Sequence, residues 1–140
     1  MSALLLDTGP IVASLDRSDP HHRLVMQRFS LIRGHVLTTG AVVTEAACFL
    51  QDTTGGIERL VDLIDRLRVE IWDCFRLEVL RSAEKLVTAY ADTPMDFADA
   101  TLVLAAEHYG IGEIATLDQR GFRTFRYDRN KSFRLLLQDE

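Results

Sequence analysis

Apolar residues recur along this chain with two different spacings, and the alternation between them predicts strands followed by helices. Short continuous apolar runs are typical of strands that are buried on both faces. Segments with an apolar residue at every third or fourth position are typical of amphipathic helices. The predicted strands are residues 3–6, 35–38, 69–72, 114–117 and 123–127, and the predicted helices are residues 10–15, 20–32, 40–51, 57–67, 77–90 and 95–110.

Strands that alternate with helices imply βαβ units, in which right-handed crossovers join parallel strands. The helix at 95–110 is apolar nearly all round, as expected of a helix buried in the centre of the fold. In the helix at 40–51, Phe49 is expected to face inward. The pattern predicts one α/β domain over residues 1–140, with three layers (α/β/α) and a central, mainly parallel sheet of about five strands. The tail, residues 132–140, fits either a strand or a helix.

Composition narrows the class of protein. With 140 residues, 47% of them hydrophobic and 26% charged, the chain is typical of a globular protein. No apolar run approaches the roughly 20 residues that span a bilayer, so no membrane association is expected. No basic region precedes the first apolar run, so no signal peptide is expected either. Cys48 and Cys74 match no metal-binding spacing and lie among apolar residues, which predicts two buried, reduced thiols and a cytoplasmic protein.

The charge is acidic overall but uneven along the chain. A formal net charge of -5 argues against a protein that coats nucleic acid non-specifically. Residues 120–134 are basic, however, with five arginines and one lysine against Asp128 alone. Three interpretations of this basic stretch stay open: a contact for phosphate groups, a solvated face, or a docking surface for an acidic peptide.

Four acidic residues follow strands or open helices at corresponding positions. Asp7 and Asp118 each stand at the carboxyl end of a predicted strand, where open α/β sheets bind their ligands. Glu45 lies near the start of the helix that follows the second strand, and Asp99 lies in the first turn of the helix at 95–110. Parallel strands would bring all four to one pocket. For Asp7 alone, capping of the helix that begins near Pro10 is an equally good explanation.

Converging carboxylates repel one another, and no Lys or Arg stands beside these four, so a divalent cation is the expected neutraliser. Mg²⁺ and Mn²⁺ prefer oxygen ligands, and such a site can activate water and stabilise charge on a phosphodiester. No Ser/His/Asp or Cys/His set stands at the strand ends, and no glycine-rich phosphate loop is present. A phosphatase with an Asp7 nucleophile is disfavoured, because Gly9 occupies the position where a second acid is expected.

These motifs also resemble a known family. The opening LLLDT, the TE pair with Glu45, the DATLVLAA helix with Asp99 and the TLD with Asp118 are similar to a PIN domain, and in particular to the VapC toxins of type II toxin–antitoxin pairs. The resemblance covers essentially the whole chain. It implies a PIN-like fold and an endoribonuclease that depends on Mg²⁺ or Mn²⁺ and acts on tRNA or rRNA. It further implies inhibition by a VapB-like antitoxin and assembly as a homodimer.

Carried over residue by residue, the resemblance implies that Asp7, Glu45, Asp99 and Asp118 form the acidic quartet that binds metal and activates water. Thr8 and Thr116 match the hydroxyl residues beside the first and last acids. Gly121 departs from the family pattern, since many members carry a further acid there, and this leaves open whether one or two ions bind. Asp96 is expected to cap its helix or to reach the metal through water. The alternative function is a non-catalytic PIN-fold binding module that acts through its antitoxin.

Overall fold

The computed structural model describes residues 3–137, and its centre is a five-stranded sheet in the order β3-β2-β1-β4-β7. Every neighbouring pair in this sheet is parallel. The strands are β1 (Ala3–Leu6), β2 (His35–Thr39), β3 (Glu70–Trp72), β4 (Glu113–Ala115) and β7 (Arg134–Leu135). The predicted fold class, a three-layer α/β protein with a mainly parallel sheet, is confirmed.

The helices flank the sheet in two groups. The chain moves from β1 to β2 to β3 toward one edge and then returns past β1 to β4, so right-handed crossovers place the first four helices and the next two on opposite faces. In keeping with this, α1 packs against α2, α3 and α4, and α5 packs against α6. The helices are α1 (Thr8–Leu15), α2 (His22–Phe29), α3 (Gly40–Leu50), α4 (Gly56–Arg66), α5 (Leu77–Ala89), α6 (Phe97–Tyr109) and α7 (Gln119–Thr124).

The core is centred on β1. Leu5 pairs in register with Leu37 on one side and Ile114 on the other, and all three side chains are fully buried. The central helix α6 is buried on most of its surface, as its sequence predicts. Burial of this kind stabilises the fold by about 25 cal/mol for each Å² of apolar surface removed from water, which fixes the strand ends firmly in place.

The predicted strand at 123–127 is wrong. Phe122 and Phe125 are both fully buried, and their spacing is that of a helix face, so most of this segment belongs to α7 and its end. Only β5 (Arg126–Tyr127) is extended, and it forms a separate antiparallel ribbon with β6 (Lys131–Ser132). The fifth strand of the main sheet comes instead from the ambiguous tail, as β7, while residues 138–140 lie outside the described part.

Two predictions of burial on α3 are also wrong. Val42, Ala46 and Leu50 form the buried stripe of this helix at intervals of four residues. Cys48 and Phe49 lie off that stripe, so the Cys48 thiol is exposed and Phe49 is 66% exposed. The prediction for Cys74 is correct, since this thiol is buried. Within residues 3–137, no helix combines the length and the apolar character needed to cross a bilayer.

Candidate active site

An acidic cavity of about 390 Å³ opens at the carboxyl edge of the sheet. It lies beside β1 and β4, which are neighbours whose connections leave toward opposite edges, and such switch points form the ligand crevices of open α/β sheets. The cavity brings together all four acids predicted from the sequence. Its lining carries the carboxylates of Asp7, Asp19, Glu45, Asp96, Asp99 and Asp118.

Asp7 is both the cap of α1 and a wall of the cavity. Its Oδ1 accepts a hydrogen bond from the Thr8 backbone N–H (2.8 Å), and its Oδ2 accepts one from the Thr116 hydroxyl (2.7 Å). Burial raises the pKa of this carboxyl to about 6, against the lowering effect of both hydrogen bonds and with a further increase from the charge of Glu45. The two functions that the sequence left as alternatives for Asp7 are therefore compatible.

Thr116 links the first acid to the last. Its side-chain oxygen donates to Asp7 and accepts a hydrogen bond from the backbone N–H of Asp118 (3.0 Å). The hydroxyl is completely buried, so water does not replace either partner. A single side chain thus fixes one oxygen of Asp7 and the backbone that carries Asp118.

Asp118 caps α7, and Gly121 makes room for it. The Oδ1 of Asp118 accepts a hydrogen bond from the Gly121 N–H (3.0 Å). A Cβ atom at position 121 would lie 2.4 Å from the Oδ2 of Asp118, closer than real Cβ contacts occur. A side chain at this position would therefore have to displace the Asp118 carboxylate from its present orientation.

Asp96 and Asp99 form a reciprocal capping box at the start of α6. The Asp96 Oδ1 accepts from the Asp99 N–H (2.8 Å), and the Asp99 Oδ2 accepts from the Asp96 N–H (3.1 Å). The pKa of Asp99 is raised to about 8, chiefly by partial burial and in addition by the charges of Asp96, Asp7 and Asp118, while one backbone hydrogen bond acts in the opposite direction. The predicted capping function of Asp96 is confirmed, and the capping carboxylates also face the cavity.

One acid of the lining was not found from the sequence. Asp19 lies in the turn before α2, where its Oδ1 accepts from the His21 N–H (2.8 Å), and it belongs to none of the strand ends. An acid in a polar turn reads as a surface residue, so the sequence carries no signal for it. Phe49, which was expected in the core, is the second unexpected member of the lining.

The cavity concentrates negative charge without a protein cation to balance it. Among the described residues that line it, none is Lys, Arg or His. The Thr8 hydroxyl is buried at the same place and has no hydrogen-bond partner within residues 3–137. In that same range, no three carboxylate, imidazole or thiol groups lie close enough together to hold one ion by themselves. This donor set fits Mg²⁺, which keeps several waters and takes one or two carboxylates from the protein.

Some basic side chains of residues 120–134 have partners within the protein, and others are exposed. The Arg126 guanidinium donates to the carbonyl oxygens of Arg123 (2.7 Å), Thr124 (3.0 Å) and Phe125 (3.0 Å) and so closes the end of α7. Lys131 lies 3.5 Å from the Asp128 carboxylate. Arg126 is therefore held for structural reasons, and the side chains that remain exposed for a phosphate are Arg120, Arg123, Arg129 and Arg134.

The raised pKa of Asp7 predicts that the metal-free protein loses stability as the pH rises. The carboxyl titrates at its ordinary value of 3.8 in the unfolded chain and near 6 in the folded protein, so the native state binds this proton more tightly. The contribution of Asp7 to stability is then fully present below pH 4 and is lost as the pH rises through 6. The two pKa values differ by about two units, which corresponds to about 3 kcal/mol in the free energy of unfolding.

Urea unfolding in the presence of a chelator measures this effect. In Asp7→Asn the side chain stays neutral at every pH, so the free energy of unfolding of this variant should rise relative to that of the wild type by about 2 kcal/mol between pH 4 and pH 7, which is most of the full difference. The pH dependence of the difference isolates the charge from any change in packing. A difference that stays constant over this range would contradict the assignment.

Comparisons with known proteins identify the family and the fold. The sequence profile of the family described as PIN domain matches residues 4–126. Ribonuclease VapC26 of Mycobacterium tuberculosis is 28% identical over 126 residues, which cover 88% of this chain and 92% of that protein. Among solved structures, Mycobacterium tuberculosis VapC20, a toxin that cleaves the sarcin–ricin loop, superposes with a TM-score of 0.75 at 17% identity and covers 83% of this chain and 90% of its own. FitAB bound to a DNA fragment superposes with a TM-score of 0.67 at 20% identity, and the match covers 98% of this chain and 97% of the solved chain.

Proposed function

We propose that this chain, which belongs to the PIN domain family, is a divalent-metal-dependent endoribonuclease and the VapC-like toxin of a toxin–antitoxin pair. The observation that carries the proposal is the convergence of Asp7, Glu45, Asp99 and Asp118 on one cavity that holds no protein cation within the described lining. The similarity to VapC26 supports the ribonuclease class. We propose tRNA or rRNA as the substrate on the strength of the family resemblance.

Asp7, Glu45, Asp99 and Asp118 are the residues that would hold Mg²⁺ or Mn²⁺ in this cavity. When bound, the ion supplies positive charge that activates a water molecule and stabilises the phosphodiester during displacement. The pKa values of Asp7 and Asp99, which are raised mainly by burial and further by neighbouring carboxylates, support this choice, because a cation in the cavity would stabilise the ionised form of each group. The unpartnered Thr8 hydroxyl offers a further hydrogen bond to water in the same cavity.

The remaining chemistry belongs to the chain itself. Thr116 and the Thr8 N–H hold the Asp7 carboxylate in one orientation, so it cannot rotate away when substrate arrives. The capping box fixes the backbone of Asp99 at the start of α6. Without a cation, the carboxylates would repel the phosphate of RNA. RNA should therefore bind at this site only when the protein holds its metal ion.

As partners we propose a VapB-like antitoxin and, in keeping with the family, a second copy of this chain in a homodimer. The acidic cavity favours an antitoxin segment with a basic side chain, because that positive charge would neutralise the carboxylates of the lining. A cytoplasmic location follows from the proposed RNA substrate. We further propose that residues 1–140 form a single PIN-like domain.

The ends of the RNA products test the proposed reaction. Attack by water releases the 3′ oxygen and leaves a 5′-phosphate and a 3′-hydroxyl, whereas attack by the RNA 2′-hydroxyl would leave a 2′,3′-cyclic phosphate. Purified protein should therefore cut total RNA, with Mg²⁺ or Mn²⁺ present, at a small set of positions that ligate directly to a 3′-hydroxyl acceptor through their 5′-phosphates. Cyclic phosphate ends would overturn the hydrolytic mechanism, and the absence of cuts would overturn the nuclease.

A binding module without catalytic activity is the second candidate. It would use the same fold and pair with the same antitoxin without holding an ion in the acidic cavity. The two functions differ in the RNA assay, because the module would leave total RNA intact while still binding its antitoxin.

Thr116→Val is expected to lower cleavage activity by about 10- to 100-fold, the range found when a residue that orients a metal ligand is lost. Valine has nearly the same shape but removes both hydrogen bonds, those to Asp7 and from Asp118. Thr116→Val should also need a higher Mg²⁺ concentration than the wild type to reach half of its maximal activity. Thr124→Val is a matched control, since that exposed hydroxyl only donates to the Arg120 carbonyl within α7. Activity of Thr116→Val within twofold of wild type would contradict the orienting function.

A further inference from the structure

A second, apolar cavity of about 300 Å³ adjoins the acidic one. The two share Glu45 and Asp96 in their linings, so whatever binds in the acidic cavity has direct access to its neighbour. The apolar cavity is formed mainly by the rings of Phe75 and Phe97, and its polar atoms come from Thr44 and the two shared acids.

The two aromatic rings are unusually exposed for their position. Phe75 is 53% and Phe97 is 38% exposed, and their ring centroids lie 6.4 Å apart with 29° between the planes. Flat apolar rings that face solvent beside a polar site are the common platform on which single-stranded nucleic acid stacks its bases. The core has no need of either ring, since both are largely outside it.

The backbone holds both rings in place. The N–H of Phe75 donates to the Asp73 carboxylate (3.1 Å), which forms a tight turn before α5. Gly40 lies directly beneath the ring, and a Cβ atom there would be 2.7 Å from Cε2 of Phe75. Phe97 is the first residue of α6, immediately after the capping residue Asp96. The platform is thus positioned by the same helix starts that position the acids.

We propose that Phe75 and Phe97 form a stacking platform for an unpaired nucleobase of the RNA, next to the phosphodiester that is cleaved. This inference rests on the proposed ribonuclease function and adds a base-binding subsite to it. A base inserted between the two rings would need them to be about 7 Å or more apart, because each stacking contact takes about 3.5 Å. The base therefore stacks on the open face of the pair and is not inserted between the rings.

The polar rim of the subsite presents hydrogen-bond acceptors. The Thr44 hydroxyl gives its proton to the Gly40 carbonyl (2.9 Å), so only its lone pairs face outward. Glu45 and Asp96 supply carboxylate oxygens, which are acceptors when ionised. A rim made of acceptors pairs with the N–H donors on the edge of a stacked base, which every base carries as an exocyclic amino group, a ring N–H or both. The rim therefore holds the edge of the base while the rings hold its face.

A fluorescent base tests the stacking. The probe is a single-stranded oligoribonucleotide with the sequence around a mapped cut site, carrying 2-aminopurine at one position at a time. Stopped-flow mixing with wild-type protein and Mg²⁺ reads the binding phase before cleavage. We expect quenching at one position beside the cut, and affinity about fivefold or more weaker in Phe75→Leu and Phe97→Leu. The Phe→Tyr variants should restore both signals.

The controls separate this inference from the alternatives. Leu77 stands two residues after Phe75 and is 64% exposed but lies outside the cavity lining, so Leu77→Ala should bind and quench as wild type. If the Phe→Leu variants bind and quench as wild type while RNA is still cleaved, the stacking inference is wrong and the proposed function stands. If wild-type protein cuts no RNA, the proposed function fails first. Conversion of a dimer to a monomer by the Phe→Leu variants, seen by sedimentation, would assign the rings to contact between copies and overturn the inference.

Discussion

Asp99→Asn is expected to lower the rate of RNA cleavage by at least about a thousandfold, which corresponds to about 4 kcal/mol of transition-state stabilisation. Asparagine keeps the shape of the side chain and can still accept the hydrogen bond from the Asp96 N–H, so the capping box survives. The charge in the cavity is what disappears. Asp7→Asn should behave similarly, because its carboxylate is fixed at the end of β1 toward the same cavity.

The matched control removes a carboxylate elsewhere. Asp62 lies on the exposed face of α4, outside the cavity lining, and Asp62→Asn should cleave RNA at the wild-type rate. Initial rates on the same RNA, with circular dichroism to verify folding, compare the three variants. If Asp99→Asn stays within tenfold of wild type, the carboxylate does not organise the reaction.

Removal of divalent cations is expected to abolish cleavage, with a loss again of about a thousandfold or more. The lining supplies only negative charge at this point, so nothing in it replaces the ion. Mg²⁺ or Mn²⁺ added in excess over the chelator should restore the rate. Because protons and the ion compete for Asp7 and Asp99, whose pKa values are raised to about 6 and about 8, more metal should be needed at pH 6 than at pH 8.

The direction of this pH effect distinguishes raised carboxylate pKa values from ordinary ones. Groups with ordinary carboxylate pKa values would be fully ionised at both pH values and would show no proton competition. A metal requirement that does not change between pH 6 and pH 8 would therefore contradict the raised pKa values of Asp7 and Asp99. Full activity in the chelator would contradict the metal dependence altogether.

The site was predictable because its residues follow elements with strong sequence patterns. Asp7 ends an unbroken apolar strand, Thr39 and Asp96 are good helix caps, and the strands are parallel, so their ends had to meet. The structure confirms the resulting fold class. The acids' placement around one cavity agrees with expectation, and their function as metal ligands stays a prediction.

Other features carried too little local signal. β7 is only two residues long and pairs solely with β4, so its extended form depends on a contact with residues distant in sequence. α7 looked like a strand because its buried aromatic residues are mixed with arginines, and the cap from Asp118 was needed to identify the helix. Asp19 and Phe49 join the cavity through the packing of whole helices, which periodicity does not reveal.

Direct binding of Mn²⁺ by the RNA-free protein tests the central claim, that the acids converge to hold a divalent cation. Isothermal titration at pH 7.5 should show saturable binding to the wild type and to Asp62→Asn, with at least about tenfold weaker binding to Asp7→Asn and Asp99→Asn. Because Asp99 holds a proton near this pH, binding should also release protons to the buffer, and the heat should change with the buffer's ionisation enthalpy. Absence of binding to the wild type, or equal binding to all four proteins, would contradict the account.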